Sequence, residues 1–112
     1  MTDSNKLVDS SVWIGYLINS SFKDLIDGND MLYLSVLSLF EIKRILFKQK
    51  IPTEKILRSI SFVKERSLLI EVDTKISELA AELSVKHNLP ALDALIYASA
   101  IKQNATLVTL DN

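Results

Sequence analysis

Four short apolar segments alternate with longer stretches of helical periodicity, and this alternation restricts the folds open to the chain. Lys6–Asp9, Met31–Ser35, Leu68–Val72 and Ala105–Leu110 read as strands. Between them the sequence predicts helices over Val12–Asn19, Phe22–Ile26, Val36–Gln49, Thr53–Arg66, from Asp73 to about Lys86, and from Pro90 to about Gln103. Ser10 or Ser11, Thr53 and Asp73 are the expected caps, and Asp27-Gly28-Asn29-Asp30 the expected turn. Strands that are each followed by helix pair in parallel, and parallel sheets are covered on both faces. The expected fold is α/β, a parallel β-sheet flanked by helices on both faces in three layers. At 112 residues, 48% hydrophobic and 24% charged, the chain suits a single globular domain spanning residues 1–112.

Several chemistries are excluded by what is missing. There are no cysteines, which removes disulfides, thiolate metal sites and cysteine nucleophiles. His87 is the one histidine, so paired-histidine cleavage of RNA cannot be built. Gly15 and Gly28 are the two glycines, too few for a P-loop or a dinucleotide-binding turn. A net charge of -1 speaks against gripping nucleic acid by bulk positive charge. No apolar run is long enough to span a bilayer, and the N-terminus has no signal-peptide pattern, so a cytoplasmic protein without a membrane partner is expected. Any catalysis rests mostly on carboxylates.

The placement of the acids narrows this further. Ligand sites in open parallel sheets form beyond the carboxyl ends of the strands, where Asp9 and Asp111 each follow an apolar segment. Two plainer readings stay open: Asp9 as a helix cap and Asp111 as the start of a turn. Asp93 is the one charged residue between Leu89 and Ile101. So apolar a helix is expected to be buried on most sides, where an ionised carboxylate is costly without compensation. The helix dipole is one compensation and a bound cation a fuller one. Glu41 falls early in the helix leaving the second strand; its alternative is an ion pair with Arg44. Four clustered carboxylates repel one another unless a cation lies among them, and magnesium or manganese prefers such oxygen ligands. Such an ion supports phosphodiester hydrolysis without histidine or cysteine. Asp73 also follows a strand but reads directly as a helix cap.

Other residues carry weaker signals. Lys43, Arg44, Lys48 and Lys50 could hold RNA phosphates, although a solvated helix face is the plainer reading. Trp13 and Tyr16 suit the core or a dimer interface, and so many apolar residues in so short a chain lead us to expect a homodimer. Tyr97, one helical turn after Asp93, could border the site, although core packing is the plainer reading, and His87 needs no catalytic role.

Taken in order, these segments resemble the PIN-domain family, in particular VapC-type toxins of toxin–antitoxin pairs. Val8-Asp9-Ser10-Ser11-Val12-Trp13-Ile14 looks like the family's opening segment, and Leu39-Phe40-Glu41-Ile42 like its helical glutamate. Leu89 to Ala100 is similar to its most recognisable stretch, and Leu107-Val108-Thr109-Leu110-Asp111 to its closing strand and fourth acid. The resemblance implies a magnesium- or manganese-dependent ribonuclease with Asp9, Glu41, Asp93 and Asp111 around the metal. Ser10 and Thr109 match hydroxyl positions lining the family's site, and an antitoxin is the implied protein partner. Family members usually continue through another short strand and helix, so a truncated C-terminus is expected. A PIN nuclease of RNA processing and a catalytically silent PIN-like module remain alternatives. A signalling receiver does not fit, since Ser10-Ser11 stand where it needs acids.

Overall fold

The computed structural model describes residues 5–110. Its elements in order are β1 (Asn5–Val8), α1 (Ser10–Asn19), α2 (Lys23–Ile26), β2 (Met31–Ser35), α3 (Val36–Lys48), α4 (Thr53–Arg66), β3 (Ser67–Ile70), α5 (Thr74–His87), α6 (Ala91–Lys102) and β4 (Thr106–Val108). The four strands form one sheet in the order β3-β2-β1-β4, with every pairing parallel. The α/β architecture expected from the alternation is the one observed.

Side-chain alternation along the strands divides the interior into two cores, one on each face of the sheet. Val8, Leu32 and Leu34 pack with Val12, Trp13, Ile26, Ile42, Leu46, Ile56, Ile60 and Val63, so α1 to α4 cover one face. Leu7 and Ile70 pack with Ile76, Ala80, Ala94, Ile96, Ala98 and Ala100, and Tyr33 and Leu107 lean on the same cluster. Helices α5 and α6 therefore cover the other face. Burying a large aliphatic side chain contributes about 1.5–3 kcal/mol, so residues such as Leu7, Leu34 and Ile42, all fully buried, dominate stability.

Several boundaries differ from those the sequence predicts. Helix α1 starts at Ser10, so Asp9 occupies the cap position rather than either serine, and its carboxylate makes no cap hydrogen bond. Thr53 is the first helical residue of α4 and Pro52 stands at the cap, a position where proline's fixed φ suits the approach to a helix. Strands β3 and β4 are shorter than expected, spanning Ser67–Ile70 and Thr106–Val108. Asp73 caps α5 as expected, its Oδ1 accepting the Ile76 amide at 2.8 Å. No residue separates β2 from α3: Ser35 ends the strand in extended conformation, and its hydroxyl oxygen accepts the Leu37 amide at 3.1 Å.

Trp13 is fully buried and packs edge-on against Tyr16 and Phe62, while Tyr16 and Phe62 stack. The homodimer expectation thus loses Trp13 as a surface residue. The Tyr16 hydroxyl donates to Asp27 at 2.7 Å, and this bond, with desolvation, holds its pKa above the usual tyrosine value. The loop into β2 is clamped by Arg66, whose Nε donates to the Ile26 carbonyl at 2.6 Å while Nη2 donates to those of Gly28 and Asp30 at 3.1 and 2.9 Å. Glycine is required in this turn, because a Cβ at Gly28 would lie 2.5 Å from the Asp24 carbonyl oxygen.

Candidate active site

Strand order sets the location. The chain builds the sheet outward from β1 through β2 to β3, then returns to place β4 on the opposite side of β1. That reversal creates a crevice between β1 and β4 at their carboxyl ends, the position where open parallel sheets bind ligands. Val8 pairs with Val108, so the next residues, Asp9 and Thr109, stand side by side at its floor. By alternation both follow Leu7 and Leu107 onto the face covered by α5 and α6.

Asp9 is 9% exposed. Its backbone continues the ladder, the amide donating to the Val108 carbonyl at 3.0 Å, and its own carbonyl accepts the Trp13 amide to begin α1. Its carboxylate does something else. Oδ2 accepts the Thr109 hydroxyl at 2.9 Å and the Ser11 hydroxyl at 3.3 Å. Ser11 in turn accepts the Leu110 amide at 3.2 Å, so α1 and the segment after β4 are fastened together over the acid. One position earlier, the buried Ser10 hydroxyl donates to Glu41 Oε1 at 3.1 Å and draws the second turn of α3 toward the same strand end.

Opposite Asp9 lies a cavity of about 330 Å³, bordered by Asp9, Leu107 and Thr109 from the sheet side and by His87, Leu89, Asp93, Ile96 and Tyr97 from α5, α6 and the turn between them. That turn is fixed locally. Asn88 takes the left-handed conformation at the end of α5, which asparagine tolerates better than most residues. The Ser84 hydroxyl donates to the Leu89 carbonyl at 2.7 Å, and the Leu89 amide donates to the Ser84 carbonyl at 3.0 Å.

The PIN-domain family model matches residues 6–112. The chain belongs to the PIN-domain family. Solved structures of similar fold include a toxin–antitoxin complex from Klebsiella pneumoniae, with a TM-score of 0.80 at 18% identity over 95% of this chain and 86% of that one. VapBC2 from Rickettsia felis, bound to a DNA fragment from its promoter, gives 0.80 at 20% identity over 96% and 87%. Mycobacterium tuberculosis VapC20, a sarcin-ricin loop cleaving toxin, gives 0.76 at 16% identity over 96% and 90%. No curated protein matches the sequence.

Within this PIN domain, Asp9 and Asp93 border one cavity and Glu41 is joined to the same strand end through Ser10. Asp111 lies outside the described residues. Among the described residues, no group of three or more His, Cys, Asp or Glu lies close enough to hold a metal. The donor chemistry nevertheless fits a hard cation. The carboxylates have no Lys or Arg partner among the described residues, whose ion pairs are Lys6–Asp30 and Lys102–Asp73. Both hydroxyls on Asp9 reach Oδ2, which leaves Oδ1 without a hydrogen bond among those residues. A largely buried carboxylate so placed is costly unless a positive charge compensates it, and carboxylate oxygens are the ligands that magnesium and manganese prefer.

The PIN domain also corrects parts of the sequence reading. Asp93 is exposed, not enclosed: α6 buries Ala94, Ile96, Ala98, Ser99 and Ala100, while Leu92, Tyr97 and Ile101 stay more than a third exposed. Its apolar character therefore does not bury the acid. Glu41 forms no ion pair with Arg44; it accepts Ser10 instead. Lys43 and Arg44 border a separate groove along α3 with Phe40 and Phe47, and Lys48 is exposed in the last turn of α3. Tyr97, with core packing as its plainer reading, lines the cavity at 39% exposure, and His87 lines it as well. The one-turn spacing from Asp93 to Tyr97, the basis of the alternative reading, puts both on the cavity side. Ser11, weighed only as a cap, proves to be a second hydroxyl on Asp9.

Proposed function

We propose that this PIN domain is a metal-dependent endoribonuclease, and that it serves as the toxin of a toxin–antitoxin pair. The observation that carries the reading is Asp9, a largely buried carboxylate at the sheet's switch point, without a cationic partner among the described residues and sharing a cavity with Asp93. Asp9, Glu41, Asp93 and Asp111 are the residues that would hold a magnesium or manganese ion. Bound there, the ion would activate water for attack on a phosphodiester and stabilise charge on the leaving oxygen.

The chain's own contribution is orientation. The Thr109 and Ser11 hydroxyls fix the Asp9 carboxylate against rotation, and Ser10 does the same for Glu41. Such supporting bonds matter because a ligand that swings freely loses affinity for the metal. Membership of the family supports nuclease chemistry, and the fold shared with toxin–antitoxin complexes supports an antitoxin as protein partner. Among the described residues, no helix is long and apolar enough to cross a membrane.

The deciding experiment incubates the purified protein with mixed RNAs in magnesium, in manganese and in excess chelator, beside Asp9→Asn. Cleavage that needs the metal and disappears in the variant is expected. Cleavage that survives chelation, or equal cleavage by Asp9→Asn, would defeat the proposal.

A further inference from the structure

We infer that His87 is an RNA-contacting residue: its imidazole, at the rim of the cavity beside Asp9 and Asp93, holds one backbone phosphate of the bound strand. The inference rests on the nuclease reading for its RNA, and it adds a residue outside the four carboxylates.

His87 is the last residue of α5, and its side chain borders the same cavity as Asp9 and Asp93. Asp9 is largely buried at the floor, whereas His87 and Asp93 are exposed. The turn after His87 is fixed by left-handed Asn88 and by the paired Ser84–Leu89 bonds, so the ring is carried on a rigid support. His87 itself makes no hydrogen bond or ion pair among the described residues. Nor does it join both acids in a group able to hold a metal. Its ring nitrogens are therefore open to a ligand from outside.

Charge selects that ligand. No lysine or arginine lines the cavity, Lys43 and Arg44 border a separate groove, and Lys102 is paired with Asp73. A divalent ion bound by the acids would offset their charge, but every further phosphate of an RNA strand brings another negative charge. Histidine is the side chain that ordinarily gains a proton near neutral pH, and His87 is the one histidine of the chain. Imidazole donates an N–H to a phosphate oxygen in either protonation state, and more strongly as a cation. Aliphatic Leu89, Ile96 and Leu107 in the same wall lower the local dielectric and strengthen such a bond. The other polar groups of the cavity are Asp9 and Thr109 from the ends of β1 and β4, and Asp93 and Tyr97 from α6, with Lys86 next to His87 on α5.

Binding is measured apart from cleavage, in calcium, by fluorescence anisotropy of a dye-labelled, ribose-methylated RNA strand of mixed sequence. At about pH 5.5, His87→Gln should bind about 10- to 100-fold more weakly than wild type, the loss of one charge-assisted bond. The deficit should shrink by about pH 8, where ordinary histidine is neutral. At the acidic pH the slope of log affinity against log salt should fall in the variant by about 0.7, the share of one phosphate contact to a single strand. His87→Lys is charged at both pH values and should bind tightly at both. One uncharged methylphosphonate linkage, moved along the strand, should at one position weaken wild type and leave His87→Gln unaffected. Matching thermal melts separate these losses from unfolding. Wild-type affinity and salt slope in His87→Gln, the absence of any coupled position, or failure of the wild type to bind RNA each overturns the inference. Unchanged binding by His87→Gln beside metal-dependent cleavage lost in Asp9→Asn would remove the role of His87 and leave the nuclease reading standing. Coupling without cleavage would uphold the phosphate contact and remove the nuclease reading instead.

Discussion

The hydroxyl of Thr109 donates to Oδ2 of Asp9 at 2.9 Å, joining two positions a hundred residues apart in sequence. The bond exists because β1 and β4 are parallel neighbours in register, so both side chains leave the sheet at the same level and on the same face. If Asp9 holds a metal, Thr109→Val should weaken magnesium affinity and cleavage by about 10- to 100-fold, the usual effect of losing a partner that orients a ligand. Thr109→Ser keeps the hydroxyl and should stay close to wild type. Calorimetric titration with magnesium checks both. A valine variant that binds the ion normally would make the hydroxyl a purely structural bond.

Asp93→Asn is expected to abolish metal-dependent cleavage and leave the fold intact. Asp93 is exposed, so relief of buried charge is not available as a source of stability. What the variant forgoes is the favourable position of a negative charge in the first turn of α6, a small surface effect. The melting temperature without metal should therefore stay within roughly 3 °C of wild type or fall slightly. Melts and cleavage assays run in parallel test the two halves. Wild-type cleavage by this variant would reduce Asp93 to a helix-start acid.

Arg66→Ala should destabilise the protein by about 2–3 kcal/mol, since charge-assisted hydrogen bonds to three carbonyls are lost together and the site is partly exposed. Arg66→Lys should recover only part of this, because one ammonium cannot reproduce the spread of a guanidinium. Urea denaturation measures the difference. A loss under about 0.5 kcal/mol, typical of an ordinary surface substitution, would show that the clamp is incidental.

Asp73 should give stability a dependence on acid pH. The hydrogen bond from Lys102 and then the Ile76 amide favour its carboxylate, so its folded pKa lies below the ordinary value of 3.8. A depressed folded pKa contributes stability that is present above the unfolded pKa and is lost as pH falls through the folded one. Asp73→Ala should therefore melt at lower temperature than wild type at neutral pH, and the gap should close below pH 3.8. A gap unchanged from neutral to strongly acidic solution would show that the charge of Asp73 contributes nothing.

The fold was legible because the strands of this sheet are short and apolar and are separated in sequence by helices, a pattern that local periodicity detects. Asp73 was legible as a cap for the same reason: a cap involves residues only three apart. The relation of Asp9 to Thr109 was not, since it depends on β4 lying beside β1, and strand order leaves no local trace. Asp93 shows a second failure. A helix apolar all round was expected to be enclosed, yet part of that surface, Tyr97 included, lines an open cavity. For Trp13 the sequence left the core and an interface open, and the structure places it in the core. Lys43 and Arg44 were proposed for RNA from charge alone, and charge does not reveal that Phe40 and Phe47 share their groove.

The pairing of β1 with β4 also governs when the site can come into being during synthesis. Asp9 is synthesised a hundred residues before Thr109, and β2 and β3 can join β1 in that interval. Thr109 follows only after α5 and α6 have been translated, and the contact that steadies Asp9 spans a hundred residues. Contacts of such sequence separation form late, because their closure entropy is offset only once the intervening structure is in place. A half-made chain therefore carries the acid without its hydroxyl support or the cavity opposite it. Sequence separation thus makes assembly of the crevice a late event in folding.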